Sequence, residues 1–392
     1  MLKNRTILYV VHNYNNFQKD PIEELSKYFK KVYVLVRYKP ISKIVRYLPF
    51  KSLKKYEDSY VVDLSNVPDN VEVIRTPVWY LPFGIFYKWA GYLHYKAVKR
   101  AIKKYNIKFD LIHCHFTWTA GYVGMRLKEE YKKPFIVTGH GFDVYDLSFQ
   151  GEHWRKKVGE ILDSADKVIT VSEKNRDLIQ EISDKEAIVI GNGFNMKLFY
   201  PMGKDKVREE LGIEKEKKVL LSVGNLEKVK GHKYLIDAVS ILRKKCPDIL
   251  CYIIGGGSMM DTLAKRIKRL GLENNVFLMG HVLHGEVNKW MNACDLFVLP
   301  SLAESFGIVQ IEAFACGKPV VATKNDGSKK VVTSEDYGLL CEVGVSEDLG
   351  NKVDQGLKKD WERKKIIKYS EGFRQREISE SLVEVYQKIL KK

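Results

Sequence analysis

The chain has 392 residues, of which 45% are hydrophobic and 29% are charged. These values exclude a disordered protein and indicate two globular domains, because a single hydrophobic core usually stops growing below this length. The formal net charge of +17 indicates either an acidic partner or the abundance of Lys and Glu that accompanies adaptation to high temperature.

The sequence shows neither a secretion signal nor a membrane span. The apolar run 7–11 is too brief for a signal peptide and is typical of a first strand. The uncharged aromatic stretch 77–87 is too short to span a bilayer and is interrupted by Pro82 and Gly84. The six cysteines lack Cys-x-x-Cys spacing and indicate reduced core thiols. We therefore expect a cytoplasmic protein, soluble or peripheral to a membrane.

The amino-terminal half alternates short apolar runs with helical patterns, as a doubly wound sheet requires. The predicted strands lie at 7–11, 32–36, 111–113, 135–138 and 167–171. The Gly- and Asn-rich turn at 190–195 ends this half. We therefore predict a Rossmann-like domain over residues 1–195.

A second alternating series predicts a second Rossmann-like domain over residues 196–375. Its strands are predicted at 219–223, 250–254, 276–279, 296–299 and 320–322. A last helical pattern occupies residues 376–392. The fold class expected from the whole pattern is α/β with two domains.

The most informative segment is a strand, a turn and a helix that place two carboxylates near one helix start. The strand 296–299 is followed by Glu304 in the turn, and Glu312 lies about two turns into the predicted helix 309–315, on roughly the same side. The free backbone N–H groups at the helix start favour an anion such as pyrophosphate. These groups belong to Phe306, Gly307 and Ile308.

Two carboxylates beside a phosphate need partners without negative charge, and sugar hydroxyls meet that requirement. A sugar joined to a nucleotide satisfies both demands. The alternative is that Glu304 only caps the helix and that Glu312 is a solvated surface residue.

Two glycine-containing turns of the second domain are further candidates. After strand 219–223, the sequence runs through Gly224 and Asn225 to Lys230, which could reach a pyrophosphate or could equally be a solvated lysine. Gly255 and Gly257 follow the strand 250–254 and are weak evidence for nucleotide binding, since a tight turn explains them as well.

In the first domain, four polar residues lie at or beyond strand ends, where open α/β sheets bind ligands. His140 stands between two glycines just past strand 135–138, and Asp143 follows three residues later. His113 and His115 are core or cleft residues, and we favour His115 for the cleft.

Together these motifs resemble the retaining nucleotide-sugar glycosyltransferases of family 4, which have the GT-B fold. The resemblance rests on the Glu-x7-Glu spacing of Glu304 and Glu312, on Ser305-Phe306-Gly307, and on the segment Gly317-Lys318-Pro319-Val320-Val321-Ala322. It implies two Rossmann-like domains facing a central cleft, with the last helix returning to the first domain.

The resemblance also implies residue roles. Glu304 would hold hydroxyls of the donor sugar, Glu312 the ribose, and Lys230 the departing diphosphate, while His140 would touch the donor sugar and the Gly255 turn would line the nucleotide pocket. Three departures stand out: Asn225 replaces the arginine that commonly follows the glycine of its loop, residues 11–17 lack the usual paired glycines, and Gly327 is not followed by Pro-Glu.

The implied activity is retaining transfer of a hexosyl or related sugar from a UDP-, GDP- or ADP-sugar to an acceptor hydroxyl, in polysaccharide or glycoconjugate synthesis. The acceptor is a glycan, a lipid-linked molecule or a small molecule. No Asp-x-Asp and no metal-ligand spacing occurs in the sequence, so we expect neither a metal nor another cofactor.

Two alternatives remain open. One is a GT-B-like nucleotide-sugar epimerase or phosphorylase. The other is a non-enzymatic basic protein that binds nucleic acid or a membrane, although we expect no nucleic-acid partner.

Residues 37–56 and 77–109 each contain seven Lys or Arg and no acid. These basic and aromatic segments predict that the protein docks on an anionic surface at the inner face of the membrane.

Overall fold

The computed structural model describes residues 2–40, 62–79 and 85–391, and the chain divides into two compact units. Unit 1 comprises Met1–Gly191 and Gln375–Lys392, and unit 2 comprises Asn192–Arg374. The first boundary lies four residues before the predicted one. Residues 41–56 of the basic segment and 80–84 of the aromatic stretch lie outside the described residues.

Unit 1 is a seven-stranded parallel sheet in the order β3-β2-β1-β4-β5-β6-β7. Its strands are β1 (Thr6–Val11), β2 (Lys31–Tyr38), β3 (Val71–Pro77), β4 (Leu111–His115), β5 (Phe135–Gly139), β6 (Lys167–Thr170) and β7 (Ala187–Val189). Its helices are α1 (Asn16–Ser26), α2 (Ile85–Lys104), α3 (Tyr122–Tyr131), α4 (Phe142–Tyr145), α5 (Glu152–Ser164) and α6 (Glu173–Gln180).

Unit 2 is a six-stranded parallel sheet in the order β10-β9-β8-β11-β12-β13. Its strands are β8 (Lys218–Val223), β9 (Ile249–Ile254), β10 (Val276–Gly280), β11 (Leu296–Leu299), β12 (Val320–Thr323) and β13 (Gly338–Cys341). Its helices are α7 (Lys204–Glu210), α8 (His232–Leu242), α9 (Met260–Arg269), α10 (His284–Ala293), α11 (Ile308–Ala315), α12 (Asp326–Val331), α13 (Ser346–Lys358) and α14 (Arg363–Ser370).

The order of the strands fixes where each unit can bind a ligand. The central strands β1, β4, β5, β11 and β12 are almost entirely buried, because helices cover both faces of a parallel sheet. In each unit the strand order reverses direction beside the first strand, between β1 and β4 and between β8 and β11. The crevice beyond the carboxyl ends of the strands at such a switch point is the usual ligand site of this sheet type.

The last helix, α15 (Gln375–Leu390), belongs to unit 1. Its buried face includes Leu382 and Tyr386. The Tyr386 hydroxyl lies 3.0 Å from the Tyr9 hydroxyl and 2.7 Å from His113 Nδ1. The chain end is therefore bonded to β1 and β4 of the first sheet. Among the helices of the described ranges, none combines the length and the apolar character that crossing a bilayer would require.

Candidate active site

In unit 2, the loops that follow β8 and β11 lie against each other at the switch point. Gly231 has a φ of 65°, and a Cβ built on it would lie 2.0 Å from the carbonyl oxygen of Pro300. The Leu302 N–H donates a 2.7 Å hydrogen bond to the Val229 carbonyl. Glycine at position 231 is therefore required for this close approach.

This contact brings Lys230 onto Glu304. Lys230 Nζ donates to Glu304 Oε1 over 2.5 Å, and the Ser301 hydroxyl donates to the same oxygen over 2.8 Å. Only 9% of the Glu304 side chain is exposed, against 26% for Lys230. Gly307, not Glu304, occupies the position before the helix, so the explanation that Glu304 only caps the helix is wrong.

Glu312 is buried rather than solvated, so the surface interpretation of this residue is also wrong. It lies in the second turn of α11 with 8% of its side chain exposed, and its Oε1 lies 3.2 Å from His284 Nε2. A carboxylate can only accept, so His284 donates through Nε2. The edge of the His284 ring contacts Phe199 at a centroid distance of 4.9 Å. The carboxylate of Glu312 retains capacity to accept further hydrogen bonds from hydroxyl groups.

The start of α11 presents its backbone to the same region. Gly307 has a φ of 79°, and a Cβ on it would lie 2.4 Å from Gln310 Nε2. The Phe306 side chain is buried and packs edge-on against Phe373 at 6.2 Å. Phe306, Gly307 and Ile308 could therefore serve a ligand through backbone N–H groups, which at a helix start favour anions.

The glycine turn after β9 packs on the loop after β8. A Cβ on Gly255 would lie 2.0 Å from the Gly224 carbonyl oxygen, and one on Gly257 would lie 2.5 Å from that of Leu226. The close packing against these carbonyl oxygens therefore explains why both positions are glycine, without a bound nucleotide. The Gly224 N–H is already bonded to the Ile254 carbonyl, and Asn225 is exposed.

In unit 1, His140 and His115 form a hydrogen-bonded pair at the carboxyl ends of β5 and β4. His115 Nδ1 lies 2.9 Å from His140 Nε2, and the two rings stack at 5.0 Å. Burial lowers the pKa of His115 to about 4. Burial, with the neighbouring His115, also holds the pKa of His140 well below 6.5. Both imidazoles are therefore neutral near pH 7, so one ring donates to the other.

The last residue of the local sequence His-Gly-x-Asp, Asp143, accepts hydrogen bonds from the backbone around it. Its Oδ1 accepts from the N–H groups of His140 (3.1 Å) and Gly141 (3.0 Å), and its Oδ2 accepts from that of Thr117 (2.8 Å). Burial raises the pKa of this carboxyl, and the same backbone hydrogen bonds oppose the rise. All these contacts lie within the protein, so Asp143 holds the loop that presents His140.

Several polar residues near these sites were not predicted. Ser301 contacts Glu304, which is three residues away in sequence, and His284 contacts Glu312, which is 28 residues away. In unit 1, His12, Arg37 and His94 converge on Thr119. The only sequence signal was that His12 and Arg37 stand at strand ends, where parallel sheets bind ligands.

Within residues 2–40, 62–79 and 85–391, no group of three or more His, Cys, Asp or Glu side chains has the geometry to hold a metal ion. The six cysteines are free thiols; five are buried and Cys246 is partly exposed.

Comparisons with known proteins agree with this architecture. Residues 54–198 match the model of Glycosyltransferase Family 4, and residues 203–373 match that of Glycosyl transferases group 1. An uncharacterized glycosyltransferase of Methanocaldococcus jannaschii is 33% identical over 66% of this chain and 68% of its own length. Mannosylfructose-phosphate synthase of Agrobacterium fabrum is 29% identical over 76% of this chain and 71% of its own.

Solved structures show the same fold. Sucrose-phosphate synthase from Thermosynechococcus elongatus superposes with a TM-score of 0.79 at 22% identity, over 98% of this chain and 99% of its own. The Anabaena protein HepE in complex with UDP-glucose has a TM-score of 0.72 at 21% identity, over 98% of this chain and 100% of its own.

The two parallel α/β units, each with candidate ligand residues at its switch point, have the GT-B fold. The chain belongs to the family 4 glycosyltransferases, also described as glycosyl transferases group 1.

Proposed function

We propose that this glycosyltransferase is a retaining, metal-independent enzyme that moves a sugar from a nucleotide-sugar donor to an acceptor hydroxyl. The observation that carries the proposal is the arrangement at the switch point of unit 2. There Lys230, Glu304 and the start of α11 meet, and Glu312 lies on the same helix. This combines cationic groups for a diphosphate with carboxylates for hydroxyl groups.

In this proposal, Glu304 accepts hydrogen bonds from hydroxyls of the transferred sugar, Glu312 accepts them from the ribose, and His140 contacts the sugar as a neutral imidazole. The acceptor oxygen bonds to the anomeric carbon on the face from which the diphosphate leaves. The leaving phosphate oxygen takes the acceptor proton. Lys230 and the N–H groups of α11 stabilise the negative charge that develops on the diphosphate. This fixed positive charge supports a reaction without a metal.

The donor is proposed to be a UDP-sugar in the first place, because HepE was solved with UDP and with UDP-glucose. The test is thermal unfolding of the protein with UDP-, GDP- and ADP-sugars, on wild type, Glu312→Ala and Glu342→Ala. Glu342 is the control because it is exposed and pairs with Lys324. A donor at one hundred times its Kd should stabilise the fold by about 2.7 kcal/mol.

We expect a selective shift with one nucleotide, kept in Glu342→Ala and lost in Glu312→Ala, and unchanged transfer in EDTA. Absence of any shift in the wild type would contradict the proposal. A new nucleotide sugar formed without an acceptor would indicate an epimerase, and a requirement for free phosphate would indicate a phosphorylase.

We also propose that unit 1 docks on an anionic membrane. Helix α2 exposes Trp89 (62%), Tyr92 and Leu93, and the neighbouring Lys88 and Lys96 are exposed as well. Aromatic and basic side chains on one helix suit the interface of an anionic bilayer. An enzyme held there would reach a lipid-linked acceptor.

Sedimentation with vesicles of anionic and of zwitterionic lipid tests the docking proposal at low salt. We expect binding to anionic vesicles only, weakened by salt and by the double change Trp89→Ser, Leu93→Ser. Leu283→Ser is the control, because Leu283 is 79% exposed but belongs to unit 2. Equal sedimentation with both lipids, or equal loss in the control, would refute docking through this face.

A further inference from the structure

A cluster of polar side chains in unit 1 lies at the carboxyl ends of β1 and β2. Thr119, which is fully buried, is its centre. The Thr119 N–H donates to His12 Nε2 over 3.2 Å. The Thr119 hydroxyl lies 2.8 Å from His94 Nδ1 and accepts from Arg37 Nη1 over 3.3 Å. These residues come from β2, α2 and the segments after β1 and β4.

The hydrogen bonds fix the ring proton of His12 and limit the choices for His94. A backbone N–H can only donate, so His12 Nε2 accepts and its ring proton is on Nδ1. A guanidinium can only donate, so the Thr119 oxygen accepts from Arg37, and the same hydroxyl can either donate to His94 Nδ1 or accept from it. When the Thr119 hydroxyl donates, the proton of His94 is on Nε2.

His94 Nε2 is a buried nitrogen without a hydrogen-bond partner among the described residues, in a side chain with no exposed surface. Leaving a buried polar atom unpaired is unfavourable, so such a group indicates an absent partner. Among the described residues, Arg37 makes one hydrogen bond, to Thr119, and no ion pair with a carboxylate. Within that part of the chain, the cluster therefore offers N–H groups and positive charge.

The electrostatic surroundings have the same sign. Burial lowers the pKa of His12, and the positive charges of Arg37 and Lys39 lower it further. The carboxylate nearest in sequence to His140, that of Asp143, already accepts three backbone N–H groups. Burial holds the pKa of His12 and of His94 well below 6.5, so Arg37 and Lys39 supply the positive charge near pH 7.

We propose that this cluster of His12, Arg37, His94 and Thr119 binds an oxyanion carried by the acceptor, a phosphate or a carboxylate. An oxyanion brings only acceptor oxygens, and its negative charge complements the Arg37 guanidinium, which a neutral hydroxyl does not. The proposal rests on the proposed transferase function, because it assigns the acceptor class to unit 1. An acceptor of this class is a sugar or cyclitol phosphate, or a uronic acid.

The first experiment does not depend on transferase activity. Inorganic phosphate is titrated into the wild type, Arg37→Gln, Arg75→Gln and Lys230→Gln, with calorimetry and with imidazole NMR signals as readouts. Arg75 is the matched control, since it is exposed on the adjacent strand β3. We expect binding that is at least tenfold weaker in Arg37→Gln and unchanged in Arg75→Gln, with shifts of the His94 ring signals.

Binding that survives in Lys230→Gln excludes the diphosphate site of unit 2 as its source. Phosphate binding that is absent from the wild type, or equal in Arg37→Gln and Arg75→Gln, would overturn the proposal. Acetate in place of phosphate tells whether a carboxylate or a phosphate is preferred.

The second experiment follows donor consumption with sugar phosphates, uronic acids and their neutral parent sugars. We expect kcat/KM for an anionic acceptor to exceed that of its parent about 100-fold, and Arg37→Gln to remove most of this preference through KM. The donor-induced thermal shift should be unchanged in Arg37→Gln. Equal use of a neutral parent sugar would overturn the oxyanion proposal alone, whereas no donor binding at all would contradict the transferase function.

Discussion

Replacing Glu304 by Gln is expected to lower kcat for sugar transfer by a factor of about 100 to 1000, the range measured when one polar transition-state contact is removed. The Glu304 carboxylate accepts from Lys230 and Ser301 through one oxygen. Its second oxygen is then available to hydroxyls of the donor sugar. A glutamine presents an NH2 group at that position and would repel hydroxyl donors.

The fold should tolerate this change. The amide oxygen of Gln can still accept from Lys230 or Ser301, so we expect the free energy of unfolding to change by no more than about 1–2 kcal/mol. The matched control is Glu342→Gln, which alters an exposed pair with Lys324 in the same unit and should keep full activity. Steady-state kinetics and thermal unfolding of both variants separate a chemical loss from a folding loss.

A double-mutant cycle with Lys230→Gln adds a second criterion. If Lys230 and Glu304 act as one unit on the donor, the double variant should lose little more activity than the worse single variant. Retention of more than a tenth of the wild-type kcat in Glu304→Gln would remove this residue from the proposed catalytic groups.

The predicted strands include all those that the fold buries most completely, together with the edge strand β10. Runs such as 7–11 and 296–299 are continuously apolar because helices cover both faces of a parallel sheet. The three missed strands, β3, β7 and β13, all lie at sheet edges. β3 alternates apolar with charged residues, β7 has three residues, and β13 begins with glycine, so each gives a weak pattern.

The same distinction applies to the site. Glu304 and Glu312 were predictable because the strand, turn and helix that place them are contiguous in sequence. The bond from Lys230 to Glu304 spans 74 residues, and that from His284 to Glu312 spans 28. Arg37 and His94 meet only at Thr119, at separations of 82 and 25 residues. Contacts of this kind depend on how β-α-β units stack, which periodicity in one segment does not encode.

Acid is expected to destabilise unit 1 well above the pH at which carboxylates titrate. Five of the six histidines of this unit have strongly lowered pKa values, each chiefly through burial: His115 to about 4, and the other four well below 6.5. These four are His12, His94, His113 and His140. In the unfolded chain all five would titrate near 6.5.

The direction follows from proton counting. Below about pH 6.5 the unfolded state binds protons that the folded state does not bind. The free energy of unfolding therefore falls as the pH falls, until the pH reaches the pKa of each histidine in the folded state. Each such histidine contributes about 1.4 kcal/mol per pH unit. Asp143 acts in the opposite sense, because burial raises the pKa of its carboxyl in the folded state. This effect is confined to the pH range between 3.8 and the raised pKa of the folded state.

Urea unfolding at pH 8, 7, 6 and 5 measures this slope. We expect stability to be nearly constant from pH 8 to 7 and to fall by several kcal/mol between pH 6.5 and 5, a large part of the 5–15 kcal/mol typical of a folded domain. His115→Asn should reduce the slope by up to one proton. A flat profile down to pH 5 would mean that these imidazoles accept protons in the folded state. His140, which the proposed transfer mechanism uses as a neutral imidazole, would then be protonated over the same range.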